Sequence, residues 1–200
     1  MRFFLQALSV ALALFPVSAD SPWERKLHRD GIVVDVRSVA DSDFKEFKAR
    51  MRVKSTLVKA TEIMRDIPGY TRWMKDCKEA REVQKISASS GIVYSLQAAP
   101  WPITEREAVV RYDYRRSSTP AALYITIAAE PNALPQKSGR VRIPRLKGYW
   151  SYVEISAGEL EVTYSMHSEP GGSLPGWAAA GMVAHLPYET MKRLKAELER

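Results

Sequence analysis

Residues 169–179 read EPGGSLPGWAA, and the reading of this stretch decides the fold. Ahead of it, LEVTYSMHS (160–168) alternates apolar and polar residues as a half-buried strand does. Behind it, Leu174, Trp177, Ala178, Gly181, Met182, His185, Leu186, Met191, Leu194 and Leu198 form a stripe at helical spacing. The stretch is therefore where a strand hands over to a long terminal helix. Gly171 and Gly172 are free to take positive φ and let the chain turn sharply after Pro170. Ser173 is the expected N-cap, with Pro175 in the first helical turn, where a missing N–H does no harm. Trp177 then points at the sheet with Gly181, whose small size allows close approach, and Pro187 marks a kink or break.

The rest of the chain supplies that sheet. In FKARMRVKS (47–55), Phe47, Ala49, Met51 and Val53 face one way and Lys48, Arg50, Arg52 and Lys54 the other. In REAVVRYDYRR (106–116), Ala108, Val110, Tyr112 and Tyr114 share a face opposite Arg111, Asp113 and Arg115. GIVVDVRSV, REVQKIS, GIVYSLQ, ALYITIAAE and YWSYVEIS also read as strands, with turns expected at Gly91, Gly148, Gly158, Ser117-Ser118 and Pro131-Asn132. A first helix is expected over 57–66, with Leu57, Val58, Thr61 and Met64 on one face and Pro68-Gly69 ending it. Strands, a helix, five or six antiparallel strands and a terminal helix make an α+β domain, with the last helix covering one sheet face.

Residues 1–19 (MRFFLQALSVALALFPVSA) stand apart. A short basic start, an apolar run from Phe3 to Phe15 and a small-x-small Val17-Ser18-Ala19 give the layout of a secretory signal cut after Ala19. An uncleaved anchor is the alternative, although the run is short for a membrane span. The folded domain is then 20–200, expected in the periplasm or outside the cell. Without residues 1–19, which carry Arg2 and no acid, the formal net charge falls from +7 to +6. A basic exported protein points to an anionic membrane surface as a partner and away from nucleic acid. The row Lys48, Arg50, Arg52, Lys54 suits headgroup attraction. It equally suits a solvated outer face guarding an edge strand. Lone Cys77 makes no intramolecular disulfide and reads as a small core residue.

Four segments carry a family resemblance. PWPITERE (100–107) resembles the Trp-Pro…Arg-Asp signature of START domains, the lipid-transfer branch of the helix-grip superfamily. YTRWMKDCKEA (70–80), KGYW (147–150) and EPGGSLPGW (169–177) resemble, in the same order, three further family segments. Glu107 stands where the family usually has Asp. The resemblance implies a curved antiparallel sheet wrapped around the C-terminal helix, with an internal hydrophobic tunnel for one lipid- or sterol-like molecule in a monomer.

Given that resemblance, the residues expected to line the tunnel are Tyr94, Val110, Tyr112, Tyr114, Tyr164, Met166, Trp177, Gly181, Met182 and His185. Ser95, Gln97 and Thr126 are further polar handles. Mostly apolar walls with a few oriented hydroxyls suit a small-molecule pocket. The Arg106–Glu107 pair is expected to be a structural salt bridge. No His-x-x-x-His, Gly-x-Ser-x-Gly or phosphate-loop pattern occurs, so no metal, cofactor or catalytic set is expected. A helix-grip enzyme of the cyclase or hydratase kind is the alternative, with Tyr112, Tyr164 or His185 as acid–base groups.

Overall fold

In a computed structural model, the strand before Pro170 ends at Glu169 and the terminal helix runs from Gly176 to Leu198. The structure describes residues 21–174 and 176–200, with only the backbone of 176–180 and 182. The signal-like segment, the position of Pro175 and the side chains of Trp177 and Met182 lie outside the described residues.

The order is β1 (Glu24–Arg29), β2 (Ile32–Arg37), β3 (Glu46–Lys54), α1 (Leu57–Arg65), α2 (Tyr70–Trp73), β4 (Cys77–Lys85) and β5 (Ser90–Gln97). It continues through β6 (Arg106–Ser118), β7 (Ala121–Ala129), β8 (Val141–Arg142), β9 (Arg145–Ser156) and β10 (Glu159–Glu169) to α3 (Gly176–Leu198). One sheet of ten strands runs β1-β2-β3-β10-β9-β7-β6-β5-β4, with β8 added in parallel beside the start of β6. The other pairings are antiparallel. A twisted sheet of this size curls. Its two ends are joined by helices: α3 packs on β1, β2 and β3, while α2 packs on both β4 and α3.

Several expectations change. α3 begins two residues later than Leu174, leaving Ser173 three residues ahead of it. Helix α2 and strand β8 are too short to leave a periodic signal. Gly91 and Gly148 sit inside strands, because the neighbouring strand crowds them. A Cβ at Gly91 would lie 2.6 Å from the Tyr112 hydroxyl, and one at Gly148 would collide with the Ser165 carbonyl oxygen. Gly158 does turn β9 into β10, at φ +76°. On α1, Thr56 caps the first turn through the Lys59 N–H. That helix buries Ala60, Thr61, Ile63 and Met64, while Val58 faces solvent. β3 lies between β2 and β10, so its basic row guards no edge. Three of those cations have partners: Arg50 pairs with Asp35, Arg52 lies 3.9 Å from Glu161, and Lys48 sits over the Trp23 ring.

The main core lies where the C-terminal half of α3 meets β2, β3 and β10. Tyr188, Met191, Leu194 and Leu198 pack there with Val34, Ala49, Met51, Leu160 and Val162. The Tyr188 hydroxyl donates to Asp30 in the β1–β2 turn, pinning the helix just past Pro187.

Candidate ligand-binding site

The inner face of the sheet continues from this core across β10, β9, β7 and β6. Register fixes who shares it: Tyr164 pairs with Trp150, Trp150 with Ile125, Ile125 with Tyr114, and Val110 with Val93. Side chains alternate across a strand, so Tyr112, Tyr114, Val110 and Met166 belong to this face together with Tyr164. Trp150 stacks on Tyr164 at 3.8 Å between centroids, and Trp73 meets Trp150 edge-on at 5.7 Å. Tyr70 and Tyr114 both donate to the Met64 carbonyl, at 2.7 and 2.6 Å, which ties α1 and α2 to the face. Burial pushes the Tyr114 phenol up to about 12 and also raises those of Tyr70, Tyr152 and Tyr164. Burial, then the hydrogen bond to Glu82, raises that of Tyr112. The hydroxyls of Tyr70, Tyr112, Tyr114 and Tyr164 act as neutral donors.

The structure brings together Val110, Tyr112, Tyr114, Tyr164 and Met166, and it separates Tyr94, Gly181 and His185 from them. Tyr94 is on the opposite face. It pairs with Val109 and packs with Ile92, Leu96 and Leu134 under the 130–140 loop. His185 and Gly181 are exposed on α3, and a Cβ on Gly181 would meet nothing within 4 Å, so it marks no close approach to the sheet. Ser95 and Gln97 share the inner row with Ala108 and Arg106, while Thr126 faces outward with Asp113. The three acid–base candidates do not converge. Tyr112 and Tyr164 lie three strand spacings apart, ~14 Å, and His185 is on the helix surface.

Arg106 and Glu107 do not pair with each other, because successive strand residues point to opposite faces. Glu107 is fully buried and salt-bridged to Arg142 at 2.8 Å. It also accepts from the Lys137 N–H and the Tyr94 hydroxyl, each at 3.1 Å. Burial would raise its carboxyl, but the bonds from Arg142, Lys137 and Tyr94 outweigh it and hold the group below the usual range. Arg106 points inward; it donates to the carbonyls of Thr104 and Ser173, bridging the β5–β6 loop to the lead-in of α3. Sequence reasoning missed Arg142, Trp73, Trp150 and Tyr152. The arginine-rich RVRIPR at 140–145 was the available signal for the first.

Among the described residues, the buried polar atoms Trp73 Nε1, Arg106 Nε, Tyr152 Oη and Ser168 Oγ have no partner. Outside, a solvent-open groove of about 1210 Å³ crosses the other sheet face, lined by residues such as Arg111, Asp113, Arg115, Lys147 and His167. Among the described residues no cluster of His, Cys, Asp and Glu could hold a metal ion, and no helix is long and apolar enough to cross a membrane.

A curved antiparallel sheet closed on its inner face by the C-terminal helix defines a helix-grip protein. Within that class the chain belongs to the START domain family, whose model matches residues 19–200. This family is known for binding lipids and other hydrophobic ligands. The chain is similar to the STAR-related lipid transfer protein of Xanthomonas axonopodis, at 34% identity and TM-score 0.81 over 89% of this chain and 99% of that one. It is 29% identical to an uncharacterized protein of Pseudomonas aeruginosa, PA1579, over the full length of both. Human StAR-related lipid transfer protein 5 shares the fold, with TM-score 0.79 at 15% identity over 88% of this chain and 86% of that one.

Proposed function

We propose that this protein, after export, binds one lipid- or sterol-like molecule between the inner sheet face and the N-terminal half of α3. The observation that carries the reading is a split in burial along one apolar face. Beneath the C-terminal half of α3, the inner residues of β2, β3 and β10 up to Tyr164 are buried. Further along the same face Val110, Tyr112, Tyr114, Ile127 and Met166 are only half-buried, as is Val183 on the helix. An apolar face left half-covered inside a domain costs free energy, at about 25 cal/mol per Å². An apolar ligand removes that cost. Family membership and the lipid-transfer name of the Xanthomonas relative support the same reading, and the layout of residues 1–19 supports export.

The test uses the chain without residues 1–19 and two fluorescent probes, one fatty-acyl and one sterol. Saturable 1:1 binding of at least one is expected. Met166→Trp, which adds bulk to the half-buried face, is expected to weaken binding by tenfold or more without lowering the thermal midpoint. No binding of either probe, or an unaffected Met166→Trp, would contradict the reading.

A further inference from the structure

Two arginines near the start of β6 are equally buried and differently treated. Arg142 is 7% exposed in its side chain and faces the fully buried carboxylate of Glu107. Arg106 is 6% exposed and has no carboxylate partner among the described residues. Among the described residues its hydrogen bonds go to two backbone carbonyls, Thr104 and Ser173, and its Nε is sealed from solvent with no acceptor. Burial alone acts on its ionisation, pushing it down, with no opposing charge nearby. Arginine stays charged in proteins. A buried cation without a counter-ion is strongly unfavourable, and water can satisfy an N–H but brings no negative charge.

The side chains outside the described set that follow Ser173 in the chain carry no charge. Residues 175–180 and 182 are Pro, Gly, Trp, Ala, Ala, Ala and Met. Residues 1–20 hold a single acid, Asp20. Meanwhile Arg106 stands on the inner row with Ala108, Val110 and Tyr112, beside the lead-in to α3. It lies on the same sheet face as the half-covered apolar surface.

We infer that the molecule held against this face carries an anionic head, a carboxylate or phosphate, and that Arg106 is its counter-ion. This inference rests on the binding reading above and adds the ligand's charge to it. The acyl or ring body lies along Val110, Tyr112 and Met166. The head accepts from the Nε of Arg106 and from the N–H groups its two carbonyl partners leave over.

Binding of cis-parinaric acid and its methyl ester to the chain without residues 1–19 tests this, with lysophosphatidic acid, monoacylglycerol and inorganic phosphate as competitors. The acid is expected to bind at least tenfold more tightly than the ester at pH 7.5. Lysophosphatidic acid is expected to displace it better than monoacylglycerol, with millimolar phosphate alone without effect. Arg106→Gln is expected to abolish the preference while keeping ester affinity within threefold, and Arg106→Lys to keep part of it. Equal binding of acid and ester by the natural sequence overturns the inference and leaves the binding reading standing; this arm needs no variant to fold. Displacement by phosphate alone would assign Arg106 to a free anion and overturn the lipid-head assignment. Binding of neither acid nor ester would count against the binding reading itself.

Discussion

Replacing Glu107 by Ala removes a carboxylate that accepts four hydrogen bonds. They come from Arg142 Nε at 3.1 Å and Nη2 at 2.8 Å, the Lys137 N–H at 3.1 Å and the Tyr94 hydroxyl at 3.1 Å. Arg142 in turn holds the carbonyls of Pro131, Leu134 and Pro135, so the pair fastens the 130–140 loop over the outer face of β5 and β6. In Glu107→Ala the guanidinium stays buried without its counter-ion, which costs about 3–5 kcal/mol. That is a large part of the ~5–15 kcal/mol that holds a domain folded. With a urea m-value of about 2 kcal/mol/M, the midpoint drops by roughly 2 M. Urea unfolding at pH 7, followed by tryptophan fluorescence, reads the shift directly. Arg142→Met combined with Glu107→Met removes both charges and is expected to cost much less than the two single changes added together. A loss below about 1 kcal/mol for Glu107→Ala, or strict additivity in the double variant, would refute the reasoning.

The same carboxylate predicts an acid limb. Its folded pKa lies below the ordinary glutamate value of about 4.3, so its contribution is present above that value and lost as pH falls through the folded pKa. Unfolding curves of the natural chain and Glu107→Gln should therefore converge as the pH is lowered below ~4. Gly148→Ala drives a methyl into the Ser165 carbonyl and should cost about 1–3 kcal/mol, read as a lower thermal midpoint. Cys77 is buried and its thiol is pushed up to about 11 by burial, so at pH 8 it should react slowly with a disulfide reagent when folded and rapidly in urea.

The handover at 169–179 and the period-two segments carried most of the fold, because both signals are local. What escaped depends on pairing across the sheet. Gly91 and Gly148 looked like turns, and only the opposing Tyr112 and Ser165 explain a glycine inside those strands. In IVYSLQ the more apolar side (Ile92, Tyr94, Leu96) turns out to be the one facing away from the helix, so alternation alone pointed to the wrong face. The 130–140 loop, some 40 residues downstream, covers Tyr94 there. Alternation did argue against an Arg106–Glu107 pair, yet Glu107 finds its partner 35 residues away. On α3 the apolar stripe did not distinguish the half that buries Met191 and Leu194 from the half where Gly181 and His185 face solvent. Pro187 lies at that division.

The central claim is that the half-covered inner face holds one small hydrophobic molecule. Native mass spectrometry of the chain without residues 1–19, after exposure to a total bacterial lipid extract, tests it most directly. The account predicts a 1:1 adduct in the mass range of a single lipid, abolished in Met166→Trp and retained in a surface variant such as Lys85→Ala. A spectrum showing only the bare protein, or adducts unchanged in Met166→Trp, would contradict it.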